Sequence, residues 1–257
     1  MTCRARFNEP TRWRARFDLR GEVTQVPDRT DLPVVGHDAG SDPADRFWRL
    51  DRLHNHWARP GERRSWQWYL TFEDSPDLQV LAAHCQDAID GGYYDLVASD
   101  VLHMALGRVA AAGEIGAEQV GAVAAAAGRA CDALSAFEIT TGALGGTAGA
   151  LGFAVAPSRP LRQLHETLRA ATRAALPELL PMSRPFEPHV TIAYCNTDDV
   201  PAARVHAIVK QLHDLPPVTA AVTTAVLVDL ERRERAYAWR PVARIPLPAQ
   251  GQRRSAP

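Results

Sequence analysis

Leu102-His103-Met104-Ala105-Leu106 and, 86 residues later, Pro188-His189-Val190-Thr191-Ile192 share one plan. Each runs histidine, apolar residue, small residue, branched apolar residue. The period is two, which is the period of a β-strand. On such a strand His103 and Ala105 point to one side, and Met104 and Leu106 to the other. His189 and Thr191 oppose Val190 and Ile192 in the same way. Each strand thus anchors itself in a core and presents a histidine beside a small side chain. If the two strands face each other, two imidazoles share one cleft.

The pattern around these stretches is regular from Ser65 onward. Trp66–Phe72 alternates and reads as a strand. Asp74-Ser75-Pro76 supplies a cap and a first-turn proline for a helix over Asp77–Ile89, which Gly91-Gly92 stops. Val101–Val109 is the first histidine strand. Ala117–Ala130, rich in alanine, is a helix. Leu134–Leu144 and Leu151–Ala156 are strands around a glycine-rich loop, Gly142 to Gly152. That loop lacks the G-K-[ST] ending of a phosphate-binding loop, so it reads as a flexible hairpin. A helix over Ser158–Leu176, the second histidine strand over His189–Cys195 and a helix over Asp198–Leu212 follow. Val218–Leu230 and Ala236–Ile245 pair as a last hairpin. One histidine strand follows a helix in each half, as in a diverged internal duplication. The expected class is α+β: two duplicated α/β lobes whose antiparallel sheets face each other across a central groove.

Composition excludes several classes. The chain has 257 residues, 46% hydrophobic and 23% charged, as in ordinary soluble domains. A net charge of −1 gives no global field for nucleic acid, so phosphate must be held by local groups. Lys210 is the sole lysine, an arginine bias that reflects genome composition. Cys3, Cys85, Cys131 and Cys195 form no C-x-x-C pair, so neither zinc nor a disulfide framework is expected. Met1 to Arg20 lacks a signal-peptide core, and no window approaches the roughly 18 apolar residues of a membrane helix. A cytoplasmic monomer without cofactor, metal or membrane contact is expected.

Residues 1–60 differ from the rest. Met1–Arg20 holds six arginines against Glu9 and Asp18, and Val26–Pro43 is rich in Pro, Asp and Gly. A solvated, partly irregular extension is the reading, in preference to a basic arm for RNA. His54 and His56 lie beside Trp57, with no third ligand for a metal in reach. The expected organisation is an extension at 1–60, a bilobal domain at 61–248 and a tail at 249–257.

Two histidines near neutrality suit displacement at phosphorus. One activates the attacking oxygen and the other protonates the leaving oxygen. The Thr191 hydroxyl, two residues along from His189, can donate to a phosphoryl oxygen. His84, His165, His206 and His213 fall on helices and read as structural.

The paired motifs resemble the H-x-T-x signature of the two-histidine (2H) phosphoesterases, a superfamily that includes the 2′-5′ RNA ligase-like proteins and the 2′,3′-cyclic nucleotide phosphodiesterases. The resemblance spans about Trp66 to Ile245. Trp68-Tyr69-Leu70-Thr71-Phe72, and Pro185-Phe186-Glu187-Pro188 before His189, resemble the RNA ligase-like branch. The resemblance implies a bilobal fold with a central groove and metal-independent hydrolysis. It also implies a nucleotide or RNA end as partner, bearing a 2′,3′-cyclic phosphate or a 2′-5′ linkage. By carry-over His103 and His189 are the catalytic pair and Thr191 binds phosphate. For hydrolysis, His189 is taken as the base for water and His103 as the acid.

One position departs from the signature. Ala105 stands where the first motif has threonine, and it cannot donate to phosphate. Losing such a donor costs about 3 kcal/mol, or on the order of 10²-fold in rate. Arg108 and Arg184 are the nearby cations, although strict alternation puts Arg108 on the face away from His103. Phe186 and Trp239 could stack on a base, but an isolated aromatic is more often core. Tyr194 shares the parity of Val190 and Ile192 and reads as core. The alternative to an attenuated enzyme is a module that binds phosphate or an RNA end without turnover.

Overall fold

The elements follow in the order α1 (Pro43–Trp48), β1 (Arg64–Thr71), α2 (Pro76–Asp87), β2 (Tyr94–Leu96), β3 (His103–Ala111), α3 (Ala117–Cys131), β4 (Phe137–Thr147), β5 (Ala150–Ala156), α4 (Ser158–Ala175), β6 (His189–Cys195), α5 (Ala202–Gln211), β7 (Thr219–Val222), β8 (Thr224–Arg232) and β9 (Tyr237–Pro246). The computed structural model describes residues 43–58, 61–89, 92–179, 186–249 and 251. The basic N-terminal stretch, the Pro/Asp/Gly-rich stretch up to residue 42, Gly91, Arg184, Pro185 and nearly all of the tail lie outside the described residues. The described residues belong to one unit, residues 31–257.

Two antiparallel sheets carry the two histidines. The first has the order β3-β1-β8-β9, and the second β2-β6-β5-β4-β7. The fold is α+β with two facing antiparallel sheets, as the pattern implied. The strands are shared out differently from the expected succession of lobes. The first sheet combines strands from both chain ends, and the second takes β2 from the first half. Val218–Leu230 is not one strand. The chain leaves the second sheet, where β7 pairs with β4, and enters the first, where β8 pairs with β1 and β9. The break falls between Val222 and Thr224. Burial alternates along β7 and becomes continuous from Ala225 in β8, which is covered on both faces.

Helix positions follow the apolar spacing. α3 buries Val120, Val123, Ala127 and Cys131, and α4 buries Leu161, Leu164, Leu168 and Ala171. These two pack on each other and against the first sheet, α3 on β9 and α4 on β3. The Trp68 indole N–H donates to the Thr172 hydroxyl at 3.1 Å, tying β1 to α4. α2 packs against the second sheet. Pro76 opens it as expected, but the Ser75 side chain makes no capping bond. α5 starts at Ala202 rather than Asp198. Asp199 has a left-handed φ of 62° and Pro201 precedes the first turn, so a tight turn occupies those residues instead.

Residues 43–58 are built into this unit rather than appended to it. Phe47 and Leu53 are core residues, and the Leu53 N–H donates to Val200 O at 2.9 Å. Cys85, Cys131 and Cys195 are buried free thiols.

The first sheet has two apolar faces. Trp68 and Leu70 enter the main core, whereas Tyr69 joins Val226, Val228 and Leu230 on the opposite face, with Tyr237 and Trp239 against them. Both histidine strands bulge at the same motif position. Tyr69 pairs with Ala105 and Trp68 with Gly107, leaving Leu106 unpaired against β1. Gly152 pairs with Thr191 and Leu151 with Ala193, leaving Ile192 unpaired against β5. A bulge reverses the face of every later residue in its strand. Gly107, just past the first bulge, has a φ of +150°, which favours glycine.

The Gly142–Gly152 segment is mostly strand, with a turn between Thr147 and Ala150, rather than a loop. Gly152 lets β5 approach β6 closely, since a Cβ there would meet the Val190 carbonyl oxygen and the Thr191 Cα. Gly152→Ala is therefore expected to lower the urea midpoint by the equivalent of about 2 kcal/mol or more. Gly121→Ala on exposed α3, where a Cβ meets nothing within 4 Å, is expected to raise it by about 0.5–1 kcal/mol.

Candidate active site

His103 and His189 are the first residues of their strands, and each is held in the same way. His103 Nδ1 lies 2.9 Å from Val101 O, and His189 Nδ1 lies 2.6 Å from Glu187 O. A carbonyl only accepts, so Nδ1 carries the proton in both rings. Nε2 is left as the nitrogen that carries the lone pair when the ring is neutral. Neither Nε2 makes a hydrogen bond to a described residue. Both carbonyls lie two residues upstream, so the duplication extends to the hydrogen bond that selects the tautomer. β3 and β6 touch, and the rings feel each other electrostatically.

The two environments differ. His103 is 8% exposed, whereas His189 is open to solvent. The His103 ring stacks on Tyr69 at 4.3 Å with planes 12° apart, and Trp239 meets it edge-on at 6.2 Å. Burial holds the imidazole well below its ordinary range, at about 4. The Val101 carbonyl offsets this in part, and the nearby His189 lowers it further. His103 therefore rests neutral. Glu187, which orients His189, is itself paired with Arg46 of α1 at 2.8 Å.

Thr191 lies beside the second histidine and is 6% exposed. Its side chain is near enough to the Tyr194 hydroxyl to lower that group's proton affinity, against the larger upward effect of burial. The bulge at Ile192 explains this, because it returns Tyr194 to the face of His189 and Thr191. Tyr194 is thus no simple core residue. It meets Tyr237 of the first sheet at 5.3 Å and His56 at 4.3 Å. The His56 Nε2 and the Tyr237 hydroxyl are 2.8 Å apart. Trp57 donates from its indole to Asp95, which Arg235 grips with two further bonds. Residues 54–58 therefore close the aromatic cluster between the sheets. Among the described residues no cluster of three or more His, Cys, Asp or Glu side chains could hold a metal.

Other candidates fall away from the pair. Arg108 is bound to Glu62 and Glu114. Phe186 stacks on His165 at 4.3 Å, and His165 holds the Leu106 carbonyl. His206 serves the Phe47 carbonyl. Trp239, weighed as core, lies beside His103. A concavity between α4 and the far part of β3, lined by Trp68, Gly107, Arg108, His165 and Arg169, contains neither motif histidine. Tyr69 and Tyr237 were not singled out from the sequence. The alternation of Trp68 and Leu70 about Tyr69 is the signal that separates it from the core.

Known structures share this architecture. A structure described as a phosphoesterase superposes with a TM-score of 0.56 at 20% identity, covering 73% of this chain and 99% of that one. E. coli LigT complexed with 3′-AMP matches with a TM-score of 0.55 at 21% identity, over 72% of this chain and 99% of that one. TT0787 of Thermus thermophilus gives 0.55 at 19%, over 72% and 99%. Among curated proteins none matches. No described helix is long and apolar enough to cross a membrane. Residues 110–234 match the family model of the 2′-5′ RNA ligase superfamily, a segment that holds His189 and Thr191 and begins just past His103. Over that segment the chain is similar to the 2′-5′ RNA ligase superfamily.

Proposed function

We propose that this protein is a phosphoesterase acting on nucleotides or RNA ends that carry a 2′,3′-cyclic phosphate or a 2′-5′ linkage. His103 and His189 are its proton-transfer pair and Thr191 its phosphate-binding hydroxyl. The observation that carries the reading is the matched pair of Nδ1-to-carbonyl bonds, which leaves two Nε2 atoms for chemistry in one electrostatic neighbourhood. Similarity to the superfamily over residues 110–234 supports phosphoester chemistry in general. The E. coli LigT structures with 3′-AMP, ATP and phosphate support a nucleotide-like ligand.

The surroundings of each ring suggest its role. His189 meets solvent, from which the attacking water comes. His103 is shielded from water between Tyr69 and Trp239, which suits a group that gives its proton to the leaving oxygen rather than to solvent. His189 Nε2 then takes the proton of water as its oxygen bonds to phosphorus. The bond from phosphorus to the 3′ oxygen breaks, and His103 Nε2 gives that oxygen a proton. The product is a phosphomonoester, and the two rings have exchanged protonation states. His103 rests neutral, so it must gain its proton as the substrate binds. The negative phosphoryl group supplies the attraction that an empty buried site lacks. The steps need no metal.

With EDTA present, the purified protein is expected to hydrolyse 2′,3′-cyclic nucleotides. His103→Ala and His189→Ala are each expected to lower kcat by roughly 10²–10⁴-fold. Equal rates for wild type and the double variant would overturn the assignment.

The buried His103 also sets a pH dependence. Its pKa falls from about 6.5 in the unfolded chain to about 4 in the folded one, so the unfolded chain binds more protons between those values. Stability is full above the higher value and falls by about 3 kcal/mol as the pH drops to the lower. Urea unfolding from pH 7 to pH 4 is expected to show this loss in wild type and a correspondingly flatter profile in His103→Gln.

A further inference from the structure

Ala105 leaves the first motif without a hydroxyl, but its cross-strand partner carries one. Tyr69 pairs with Ala105 in register, and its ring lies parallel to that of His103. The side chain is on the groove face of the first sheet rather than in the main core. It is 3% exposed. The Trp239 indole N–H, in the same cluster, is buried without a partner among the described residues, an arrangement that is uncommon unless something binds it.

The other side of the groove sets the direction. Tyr194 and Tyr237 are near enough to Tyr69 to influence its ionisation, and Thr191 in turn influences that of Tyr194. The Tyr69 hydroxyl therefore belongs to the same polar neighbourhood as the Thr191 hydroxyl. Burial, together with those two phenols, pushes the Tyr69 proton affinity well above the ordinary tyrosine range. It stays an O–H donor throughout the neutral range.

We propose that Tyr69 replaces the absent threonine of the first motif, donating its phenolic O–H to a non-bridging oxygen of the bound phosphoryl group on the His103 side, while Thr191 serves the His189 side. The proposal rests on the phosphoesterase reading above. It makes the first motif complete in space although it is incomplete in sequence. The donor comes from the neighbouring strand, and its ring also fixes the plane of the imidazole beside it.

Tyr69→Phe tests this, because it keeps the stacked ring and removes one oxygen. Binding of inorganic phosphate is measured by calorimetry, and turnover with a 2′,3′-cyclic nucleotide. Tyr69→Phe is expected to weaken phosphate binding about tenfold and to lower kcat/KM by on the order of 10²-fold, with thermal unfolding retained. Ala105→Thr should change little in wild type and restore most of the loss in the Tyr69→Phe background. Wild-type behaviour of Tyr69→Phe in both assays overturns the proposal. So does a loss that Ala105→Thr leaves unrepaired, which would give the phenol a structural part instead. If wild type binds phosphate but does not hydrolyse the cyclic substrate, the functional reading falls and Tyr69 is judged on phosphate binding alone. If wild type binds no phosphate, both fall.

Discussion

One hydrogen bond, made twice, governs how this protein presents its chemistry. In each histidine strand a backbone carbonyl two residues upstream accepts from Nδ1. The bond fixes which nitrogen carries the proton and which is offered to the groove. A free imidazole interconverts between tautomers, and here the chain selects one without any acidic side chain. Because the acceptor is backbone, the selection depends on the path of the chain into the strand. That path is tied down elsewhere, by the Arg46–Glu187 pair ahead of β6 and by the bond from the Phe72 N–H to the Leu102 carbonyl ahead of β3.

The paired bulges solve a related problem. A strand buried on both faces cannot hold a polar face open along its whole length. Leu106 and Ile192 are fully inside, and the strand shifts register at each. The histidine and the small residue thus keep one orientation, while the rest of the strand is free to pack. In β6 the shift also brings Tyr194 beside Thr191, joining the second motif to the aromatic cluster that spans the two sheets.

Much of this was legible in the sequence. The period-two pattern placed His103 and His189 on strands, with His189 at the head of its strand and His103 two residues into one expected from Val101, and the helices over α2, α3 and α4 followed from apolar spacing and proline. What escaped has physical causes. Alternation assumes an unbroken pleat, so the bulge at Ile192 put Tyr194 on the wrong face. The strand crossing near Thr223 is silent because Ala, Val and Thr continue on both sides of it, with no glycine or proline to mark a break. β2 is three residues long, too short for a period to show. Tyr69 is visible only through register, since its relation to Ala105 is between strands rather than along one. His56 and Trp57 are held at the groove by contacts with Tyr237 and Asp95, at sequence separations no local pattern reaches.

The sharing of strands between chain ends has a consequence for biosynthesis. β1 is flanked on one side by β3 and on the other by β8, and Trp239 from β9 lies over His103. A nascent chain emerging from the ribosome makes the first histidine strand long before it owns β8 and β9. Until that last hairpin arrives, one edge of β1 has no partner and His103 has no indole beside it. The site is therefore completed only after β8 and β9 have been made, and pairing β1 with β8 closes a loop over most of the described chain.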